Sequence, residues 1–396
     1  MGDMIKDIQI SVIGGGIAGL SVATALAQRG ARVTVYEQAE AIREVGAGLQ
    51  ISPNGLRVLR ALGLEAALAA KSSLGRAVSL RRAESDREVA RLDLNRLDAD
   101  QKYYFVHRAD LIALLLEGAR AAGVQLRLLQ RVTSVETGPQ PQINFETGAS
   151  VTSDLVIDAS GLHSTLRAQL NGDAPPFFTG QVAWRAVVPN TQGREGDVQV
   201  HMAPGRHIVS YPLRSGESLN IVAVQERSQW AQEGWAHRDD PANLRAAFKG
   251  AAPKVRDMLE HVQHVHIWGL FRHPVAENWH GQNCAILGDA AHPTLPFLAQ
   301  GANMALEDAW ALCMSLSTEG SIESRLAQYQ RTRRARVVKV IEAANSNAWR
   351  YHLRRTPLRF AAHVALGLGS RFAPGVMLHQ FDWLYGYDIT AEMPEN

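Results

Sequence analysis

A glycine-rich loop near the N-terminus constrains the fold of this chain more than any other feature. Residues 14–19 are Gly-Gly-Gly-Ile-Ala-Gly and satisfy the pattern G-x-G-x-x-G. An apolar strand pattern over residues 8–13 precedes the loop, a helical pattern follows over residues 18–28, and a second strand pattern covers residues 32–36. This order of strand, glycine loop, helix and strand predicts a βαβ unit that binds a dinucleotide.

Four residues of this unit are candidate dinucleotide contacts. Gly14, Gly16 and Gly19 allow a tight turn and a close approach of the backbone to a pyrophosphate, which the helix N-terminus stabilises. Glu37 ends the second strand, where an acid accepts hydrogen bonds from ribose hydroxyls. The motif alone does not distinguish FAD from NAD.

The rest of the chain alternates between helical and strand patterns in blocks. A helix is predicted over residues 111–122, and the stretch from 180 to 269 is rich in short strands. The strand patterns within that stretch cover residues 182–189, 198–202, 207–212 and 219–225. A buried-strand pattern over residues 283–287 and helices over 304–316 and 322–345 follow. We therefore predict an α/β fold, in which a Rossmann-like domain carries an inserted antiparallel β-sheet domain and a C-terminal helical segment.

Composition excludes several other classes of protein. The 396 residues are 46% hydrophobic and 20% charged, with a net charge of +2, so no broad field favours nucleic acid or anionic lipid. Cys284 and Cys313 form neither a metal pattern nor a disulfide framework. Without a leader pattern or a long apolar run, the sequence predicts a cytoplasmic protein with no membrane span.

Two further segments sit where predicted strands end. The first is Gly288-Asp289-Ala290-Ala291-His292-Pro293, with Gln300-Gly301-Ala302-Asn303 opening the next helix. Its aspartate can accept hydrogen bonds from a polyol, and its helix N-terminus can stabilise a reduced flavin ring. The second runs from Asp158 to Arg167, where Gly161 permits close backbone approach and Ser164 and Arg167 are able to hold phosphate or cap a helix.

Together, these three segments resemble the single-component flavoprotein aromatic hydroxylases, which include p-hydroxybenzoate and salicylate hydroxylases. The segment at Gly288 is similar to the family's G-D motif, and the segment at Gly161 to its D-G motif. The likeness covers nearly the whole chain, including residues 107–111 and the ending at residues 383–388. The Leu298-Ala299-Gln300-Gly301 form is similar to the branch of 3-hydroxybenzoate 6-hydroxylase and 6-hydroxynicotinate 3-monooxygenase.

The resemblance implies a non-covalently bound FAD, reduction by NADH or NADPH, and transfer of one oxygen from a flavin hydroperoxide to a small phenolic or hydroxy-heteroaromatic acid. It assigns FAD contacts to Gly14, Gly16, Gly19, Glu37, Arg43, Arg108, Gly161, Asp289, Gln300, Gly301, Ala302 and Asn303. The sequence departs from the family at Ser160, which replaces an acid that the resemblance links to the flavin pyrophosphate and to the nicotinamide cofactor. A milder departure is Ala299, where many members carry glycine.

The resemblance also implies a division into discontinuous domains. The FAD-binding domain would comprise residues 1–72, 101–179 and 271–345. The substrate domain would comprise residues 73–100 and 180–270, and residues 346–396 would form the C-terminal helical segment.

Candidate substrate contacts lie in the inserted sheet. His207 and Tyr211 are four residues apart on a predicted strand, so both point to one face. By resemblance, His207 accepts the proton of the substrate hydroxyl, Tyr211 orients the ring, and Pro296 contacts the substrate; the alternative is a buried structural pair. Arg185 is a second candidate for binding a carboxylate, although an arginine here is as often structural or near the flavin.

Several alternatives stay open at this stage. An FAD oxidase or dehydrogenase could use the same scaffold, as could a flavin-binding redox sensor without turnover. The partners predicted are the aromatic acid, O₂ and NAD(P)H, with the chain a monomer or a homodimer. The basic run over residues 331–336 is interpreted as the solvated face of a surface helix.

Overall fold

The computed structural model describes residues 5–42, 47–227, 237–353 and 356–391 of the protein. The strands within these ranges are, in chain order, β1 (Gln9–Ile13), β2 (Arg32–Tyr36), β3 (Gly48–Ile51), β4 (Ser73–Leu74), β5 (Ala77–Arg82), β6 (Glu88–Asp93), β7 (Tyr104–His107), β8 (Gln125–Arg127), β9 (Val132–Glu136), β10 (Gln142–Phe145), β11 (Ser150–Thr152), β12 (Leu155–Asp158), β13 (Phe177–Pro189), β14 (Asp197–Ala203), β15 (Arg206–Leu213), β16 (Ser218–Glu226), β17 (Arg238–Asp239), β18 (Val265–Arg272), β19 (His280–Gly281) and β20 (Cys284–Ile286).

The helices alternate with these strands in the first half of the chain and dominate its last hundred residues. They are α1 (Ile17–Ala27), α2 (Pro53–Ala61), α3 (Glu65–Lys71), α4 (Arg108–Ala121), α5 (Thr165–Asn171), α6 (Pro241–Ala247), α7 (Pro253–Glu260), α8 (Gly301–Leu316), α9 (Ile322–Tyr351), α10 (Thr356–Phe372), α11 (Pro374–His379) and α12 (Asp382–Tyr385). Among the described helices, none is long and apolar enough to cross a membrane.

The glycine loop follows β1, an interior strand of a six-stranded sheet with the order β19-β20-β12-β1-β2-β8. Its neighbouring strands pair in parallel, except for the β19–β20 hairpin at one edge. Strand β1 is buried over Ile10–Ile13, which agrees with its continuous apolar pattern. The predicted βαβ unit is confirmed, with β2 at the predicted bounds and α1 within one residue of them.

A second, eight-stranded sheet has the order β17-β18-β13-β16-β15-β14-β5-β6. It joins strands from residues 77–93 to strands from residues 177–272, and the proposed domain boundaries stay predictions from the sequence. The predicted antiparallel pairing holds for every neighbouring pair in this sheet except β14 and β5, which are parallel. A parallel pair cannot be joined by a hairpin, and β5 and β14 are more than 100 residues apart in the chain.

The two faces of the large sheet have different partners, as the two-residue period of a strand requires. Ile208 of β15 and Ile221 of β16 are fully buried against α6 and α7. Their neighbours Val209 and Val222 point to the other face, where they line a cavity. The large sheet therefore forms a wall of this cavity, with the β1 sheet on its far side.

Two small sheets complete the described strands. One has the order β11-β10-β9, and the other, β3-β7-β4, is antiparallel and places Gly48 beside the large sheet. Gly48 N donates a hydrogen bond to Asn220 Oδ1 of β16 at 2.7 Å. The predicted helices over residues 111–122 and 304–316 both begin earlier than expected, and α9 extends past the predicted residue 345 to Tyr351.

Candidate active site

A cavity of about 760 Å³ lies between the glycine loop and the large sheet. Most of the residues proposed from sequence as cofactor or substrate contacts line it: Gly14, Gly16, Glu37, Arg108, Gly161, Asp289, Gly301, Ala302, His207, Tyr211 and Pro296. Gly19, Gln300 and Asn303 do not line it, and Arg43 lies outside the described residues. One space therefore brings together groups from five separate parts of the chain.

The glycines of the loop have different physical roles. Gly14 adopts a φ of +98°, and a Cβ there would lie 2.7 Å from the carbonyl oxygen of Ala159. A Cβ on Gly19 would lie 1.9 Å from the oxygen of Gly14, so Gly19 is needed for packing of the helix on the loop. Gly16 has open space at its Cβ position and faces the cavity. Among the three, Gly16 is the position where a side chain would enter the space available to a pyrophosphate.

Glu37 is held at the cavity by the loop itself. Its Oε2 accepts a hydrogen bond from Gly15 N at 2.7 Å, and its Oε1 accepts one from Ala39 N at 2.9 Å. Each carboxylate oxygen keeps a second lone pair for another donor. The carboxylate is thus fixed at the end of β2, where a ribose would lie.

Asp289 and Arg108 bring opposite charges to the same cavity. The Asp289 carboxyl is exposed to the cavity but surrounded by protein, and this burial raises its pKa above the usual value, while the nearby His292 and Arg108 oppose the shift. Arg108 begins α4, and its backbone N donates to Ala47 O at 2.8 Å. A carboxyl group placed in this way can accept hydrogen bonds from polyol hydroxyls.

A buried charge cluster of Glu307, Asp308, Arg333, Arg336 and His292 supports the turn that carries Asp289. Arg333 pairs with Glu307 at 2.7 Å and with Asp308 at 2.8 Å, and Arg336 pairs with Glu307 at 2.9 Å. Asp308 Oδ2 also accepts from the backbone N of Gly288 at 3.1 Å and contacts His292. The cluster therefore links α8 and α9 directly to the G-D turn.

The charges in this cluster determine its protonation. Burial by itself would raise the pKa of Asp308, but the charges of His292 and Arg333 outweigh it and hold this pKa at about 2. The pKa of Glu307 is lowered for the same reason, by Arg333 and Arg336. Both carboxylates are thus ionised at neutral pH despite their burial.

The basic run over residues 331–336 is the main error of the sequence interpretation. Arg333 is fully buried and Arg336 nearly so, because both pair with the acids of α8. Only part of the run, such as Arg331, is exposed as predicted. The adjacent acids at positions 307 and 308 in an otherwise apolar helix were the signal that buried partners were needed.

Asp158 organises the third segment. Its carboxylate accepts from Ser160 Oγ at 2.5 Å and from Ser164 Oγ at 2.7 Å, and it is fully buried. Ser164 caps α5 by accepting from Arg167 N at 2.9 Å, and Arg167 Nη1 donates to the carbonyl of Ala290 at 2.8 Å. The roles predicted for Ser164 and Arg167 were to hold phosphate or to cap a helix. Ser164 caps α5, whereas Arg167 attaches this segment to the G-D turn.

Ser160 lines the cavity, and its hydroxyl donates a hydrogen bond to the Asp158 carboxylate. An acid at position 160, as is usual in the family, would lie beside the buried Asp158 carboxylate instead of donating to it. Gly161, the next residue, has a φ of +77° and open space at its Cβ position. Gly161 and Gly16 therefore leave two stretches of backbone open to the cavity.

The side chains of Gln300 and Asn303 bond within the protein. Gln300 Nε2 donates to Ser52 Oγ at 3.0 Å, and Asn303 Nδ2 donates to Gln50 O at 3.0 Å. A cofactor contact by either residue would thus rest on its backbone. Ala299 has a φ of +53°, a left-handed conformation that explains why glycine is common there.

His207 and Tyr211 lie on one face of β15, as their spacing predicted, and both line the cavity. The ring of His207 packs 5.9 Å from Phe297, and the ring of Tyr211 packs 5.2 Å from Phe105. Burial lowers the pKa of His207 well below its usual value, with a contribution from His352, and burial raises the pKa of Tyr211. A neutral imidazole and a neutral phenol therefore face the same space.

Two partners of His207 were not predicted from the sequence. His352 Nε2 lies 2.7 Å from His207 Nδ1, and the ring of Tyr351 lies 5.2 Å from that of His207. Tyr351 ends α9 and His352 follows it, about 145 residues further along the chain, so no local spacing pattern joins them to β15. Another histidine of the large sheet, His201 of β14, is buried and contacts Asp86 at 2.9 Å.

Arg185 also reaches the cavity from β13. Its guanidinium stacks over the ring of Trp268 at 4.9 Å, and its positive charge acts to lower the pKa of Tyr211. A cation is thus held beside the phenol of Tyr211 on the cavity side of the large sheet.

The residues around the cavity fit FAD. Gly16 and Gly161 leave exposed backbone that any Cβ would fill, and Gly16 caps the N-terminus of α1. Glu37 and Asp289 provide carboxylates at two separate points, suited to a ribose and a ribityl chain. No cluster of three or more metal-ligating side chains occurs in the part of the chain that the structure describes. The fold and the site thus define a dinucleotide-binding flavoprotein.

Comparisons with known proteins identify the family. Residues 7–344 match the FAD binding domain family. The chain is 33% identical to a 3-amino-4-hydroxybenzoate 2-monooxygenase of Streptomyces platensis, over 96% of both chains. It is 30% identical to a 3-hydroxybenzoate 6-hydroxylase of Klebsiella oxytoca, over 97% of this chain and 98% of the relative.

A solved structure shows the same fold. The Klebsiella pneumoniae protein HpxO, complexed with FAD and uric acid, superimposes with a TM-score of 0.82 at 25% identity, over 95% of this chain and 97% of HpxO. The chain belongs to the FAD binding domain family, and within it to the FAD-dependent aromatic monooxygenases, which use NADH or NADPH as reductant. The predicted fold class, cofactor and enzyme class are therefore confirmed.

Proposed function

We propose that the protein hydroxylates a small phenolic or hydroxy-heteroaromatic acid, using NAD(P)H and O₂, at the cavity between the glycine loop and the large sheet. One observation carries the proposal. His207 and Tyr211 line the same cavity as Gly16, Gly161 and Asp289. Hydroxylation of a phenol needs a polar group that can accept its proton. A protein that only binds flavin does not need such a pair in its cavity.

The cofactor would lie along the glycine loop. The backbone at Gly16 and Gly161 and the N-terminus of α1 would hold the pyrophosphate, with Glu37 at the ribose and Asp289 at the ribityl chain. When bound, FAD supplies hydride acceptance from NAD(P)H and activation of O₂. The protein supplies orientation and exclusion of water.

The substrate ring would lie against the large sheet. Val198, Val200, Met202 and Val209 provide an apolar wall, and Pro296 also lines the cavity. His207 would accept the proton of the phenol, because burial keeps its imidazole neutral and able to act as a base. The resulting phenolate is far more electron-rich than the phenol, and Tyr211 would orient it.

A carboxylate on the substrate would find a cation in Arg185. The guanidinium lies on the cavity wall beside Tyr211 and is held in place by Trp268. The relatives act on benzoates by name. A carboxylate paired with Arg185 would fix which ring carbon faces the cofactor.

A substrate panel tests the proposal. The panel comprises 3-amino-4-hydroxybenzoate, 3-hydroxybenzoate, 6-hydroxynicotinate and salicylate, each scored for NAD(P)H oxidation and for the mass of the product. We expect slow NAD(P)H oxidation in the absence of an acid and marked acceleration by at least one of the four acids. The product of that acid should be heavier by one oxygen atom. Acceleration that produces only H₂O₂ with every compound would favour an oxidase. A monomeric or homodimeric state and a cytoplasmic location stay predictions from the sequence.

A further inference from the structure

A chain of hydrogen-bonding side chains runs from the cavity toward the protein surface. His207, which lines the cavity, has its Nδ1 at 2.7 Å from His352 Nε2. The other nitrogen of His352, Nδ1, lies 3.1 Å from Glu226 Oε1. His207 and His352 are 2% and 3% exposed, whereas the side chain of Glu226 is 29% exposed. The chain thus begins in a buried space and ends at a carboxylate that meets solvent.

We propose that His352 and Glu226 form a relay that carries the phenolic proton of the substrate from His207 out of the cavity. This inference rests on the proposed function, because it assigns a path to the proton that His207 would accept. His352 and Glu226 are positioning and relay residues and do not contact the substrate.

The order of partners fixes the tautomers. A carboxylate accepts only, so Glu226 selects the form of His352 with a proton on Nδ1. His352 Nε2 then accepts from the Nδ1–H of His207, which leaves His207 Nε2 with a free lone pair for a molecule in the cavity. Gln181 Nε2 lies 3.3 Å from His352 Nδ1, and turning this amide over places an acceptor oxygen there instead.

Each step moves one proton and conserves charge. The O–H bond of the phenol breaks as an N–H bond forms on His207 Nε2. The Nδ1–H of His207 passes to His352 Nε2, and the Nδ1–H of His352 passes to Glu226, which releases the proton to water. The phenolate stays in the cavity. The chain resets when protons move in the reverse order, one from water through Glu226 to His352 Nδ1, one from His352 Nε2 to His207 Nδ1, and one from His207 Nε2 to the hydroxylated product.

Two features of the structure favour transfer over storage of the proton. Burial and the neighbouring His352 lower the pKa of His207, so an imidazolium there does not persist. The backbone also holds the partners together, since Gly205 N donates to His352 O at 3.3 Å and Glu226 N donates to Gly205 O at 2.9 Å. The end of α9 is thereby fixed to the turn between β14 and β15.

Proton release on substrate binding tests the relay. The FAD-loaded enzyme is mixed in weak buffer at neutral pH with 3-hydroxybenzoate and a pH indicator, and binding is followed separately by the flavin spectrum. We expect His352→Gln, which keeps hydrogen bonding but cannot change protonation, to slow proton release at least about tenfold with binding unchanged. Glu226→Gln should slow release severalfold. His201→Gln, at a buried histidine on β14 outside the cavity, should match the wild type.

The outcomes separate the relay from the proposed function. Release at the wild-type rate in His352→Gln, with His207→Gln impaired, would remove the relay and leave His207 as the base. Normal release in His207→Gln, or no release in the wild type, would overturn the relay at its first step, while the product mass from the substrate panel decides hydroxylation independently. Melting temperature and FAD content must be unchanged in His352→Gln; if they fall, Glu226→Gln provides the test at the exposed end.

Discussion

At the scale of single residues, the glycine loop shows how one motif contains separate constraints. Gly14 and Gly19 must be glycine because a Cβ at either position would clash with the backbone. Gly16 instead leaves open space in front of the loop. The sequence analysis treated all three as pyrophosphate contacts, because a pattern of glycines does not say which neighbour each one approaches. For Gly14, the close neighbour is Ala159, about 145 positions away in the chain.

Substitution of Gly16 tests the pyrophosphate site. Gly16→Val should leave the fold intact, since its Cβ meets no atom within 4 Å, and should lower FAD affinity by 100-fold or more (roughly 3 kcal/mol) because the side chain enters the cavity. Gly14→Ala is the matched comparison and should reduce the stability of the apoprotein, because its Cβ meets Ala159 at 2.7 Å. Flavin titration and thermal unfolding measure the two effects. Wild-type flavin affinity in Gly16→Val would remove Gly16 from the site.

Substitution of His207 tests the proposed base. His207→Ala should retain FAD and lose hydroxylation by about 10²-fold, the usual effect of losing a positioned acid–base group. NAD(P)H oxidation should fall less, because hydride transfer does not need the phenolate, so more of the reducing equivalents should appear as H₂O₂. Tyr211→Phe should give a milder loss, since it keeps the ring contact with Phe105. Normal rate and coupling in His207→Ala would show that this histidine is structural.

At the scale of elements, local patterns predicted the strands and helices well because each pattern depends on nearby residues. β2 has the predicted bounds, and α1 differs by one residue. The interpretation failed where burial depends on distant partners, as for Arg333 of α9, which pairs with the acids of α8. His352 was missed for the same reason, as its contact with β15 has no signature along the chain.

Removal of one partner from the buried charge cluster should strongly destabilise the α8–α9 pair, because it leaves buried charges unpaired. Arg333→Met should lower the free energy of unfolding by roughly 3–5 kcal/mol, since it leaves Glu307 and Asp308 without their main buried cation. Arg331→Met, in the same basic run but exposed, should change it by less than about 0.5 kcal/mol. Urea unfolding of the two variants measures the difference. Equal losses of unfolding free energy in the two variants would show that Arg333 behaves as a solvated surface residue, as first predicted.

Acid should remove this stabilisation in a defined range of pH. The pKa of Asp308 is about 2 in the folded protein, below its ordinary value of 3.8. A lowered folded pKa means that the contribution is complete above about pH 4 and is lost as the pH falls toward 2. The wild type should therefore lose stability over this range more steeply than Arg333→Met, in which the shift is smaller. Parallel stability curves below pH 4 would contradict the assignment.

At the scale of the whole molecule, the site is assembled from segments that are far apart in the chain. The C-terminal segment supplies Leu366, Met377, Phe381 and Tyr385 to the cavity wall. Arg57 of α2 holds its ending in place, donating to the carbonyl of Tyr385 at 2.8 Å. The resemblance of this ending to the family was visible in sequence, but its role in closing the cavity depends on the tertiary fold.

The origin of the oxygen in the product is the most direct test of monooxygenation at this cavity. The FAD-loaded enzyme is supplied with NAD(P)H, with the acid of the panel that most accelerates NAD(P)H oxidation, and with ¹⁸O₂ in ordinary water. The mass of the product is then measured by mass spectrometry. We predict a product that carries one atom of ¹⁸O, formed in step with NAD(P)H oxidation and nearly absent with His207→Ala. A product without ¹⁸O, or oxidation of NAD(P)H with H₂O₂ as the sole outcome for every acid, would contradict the account.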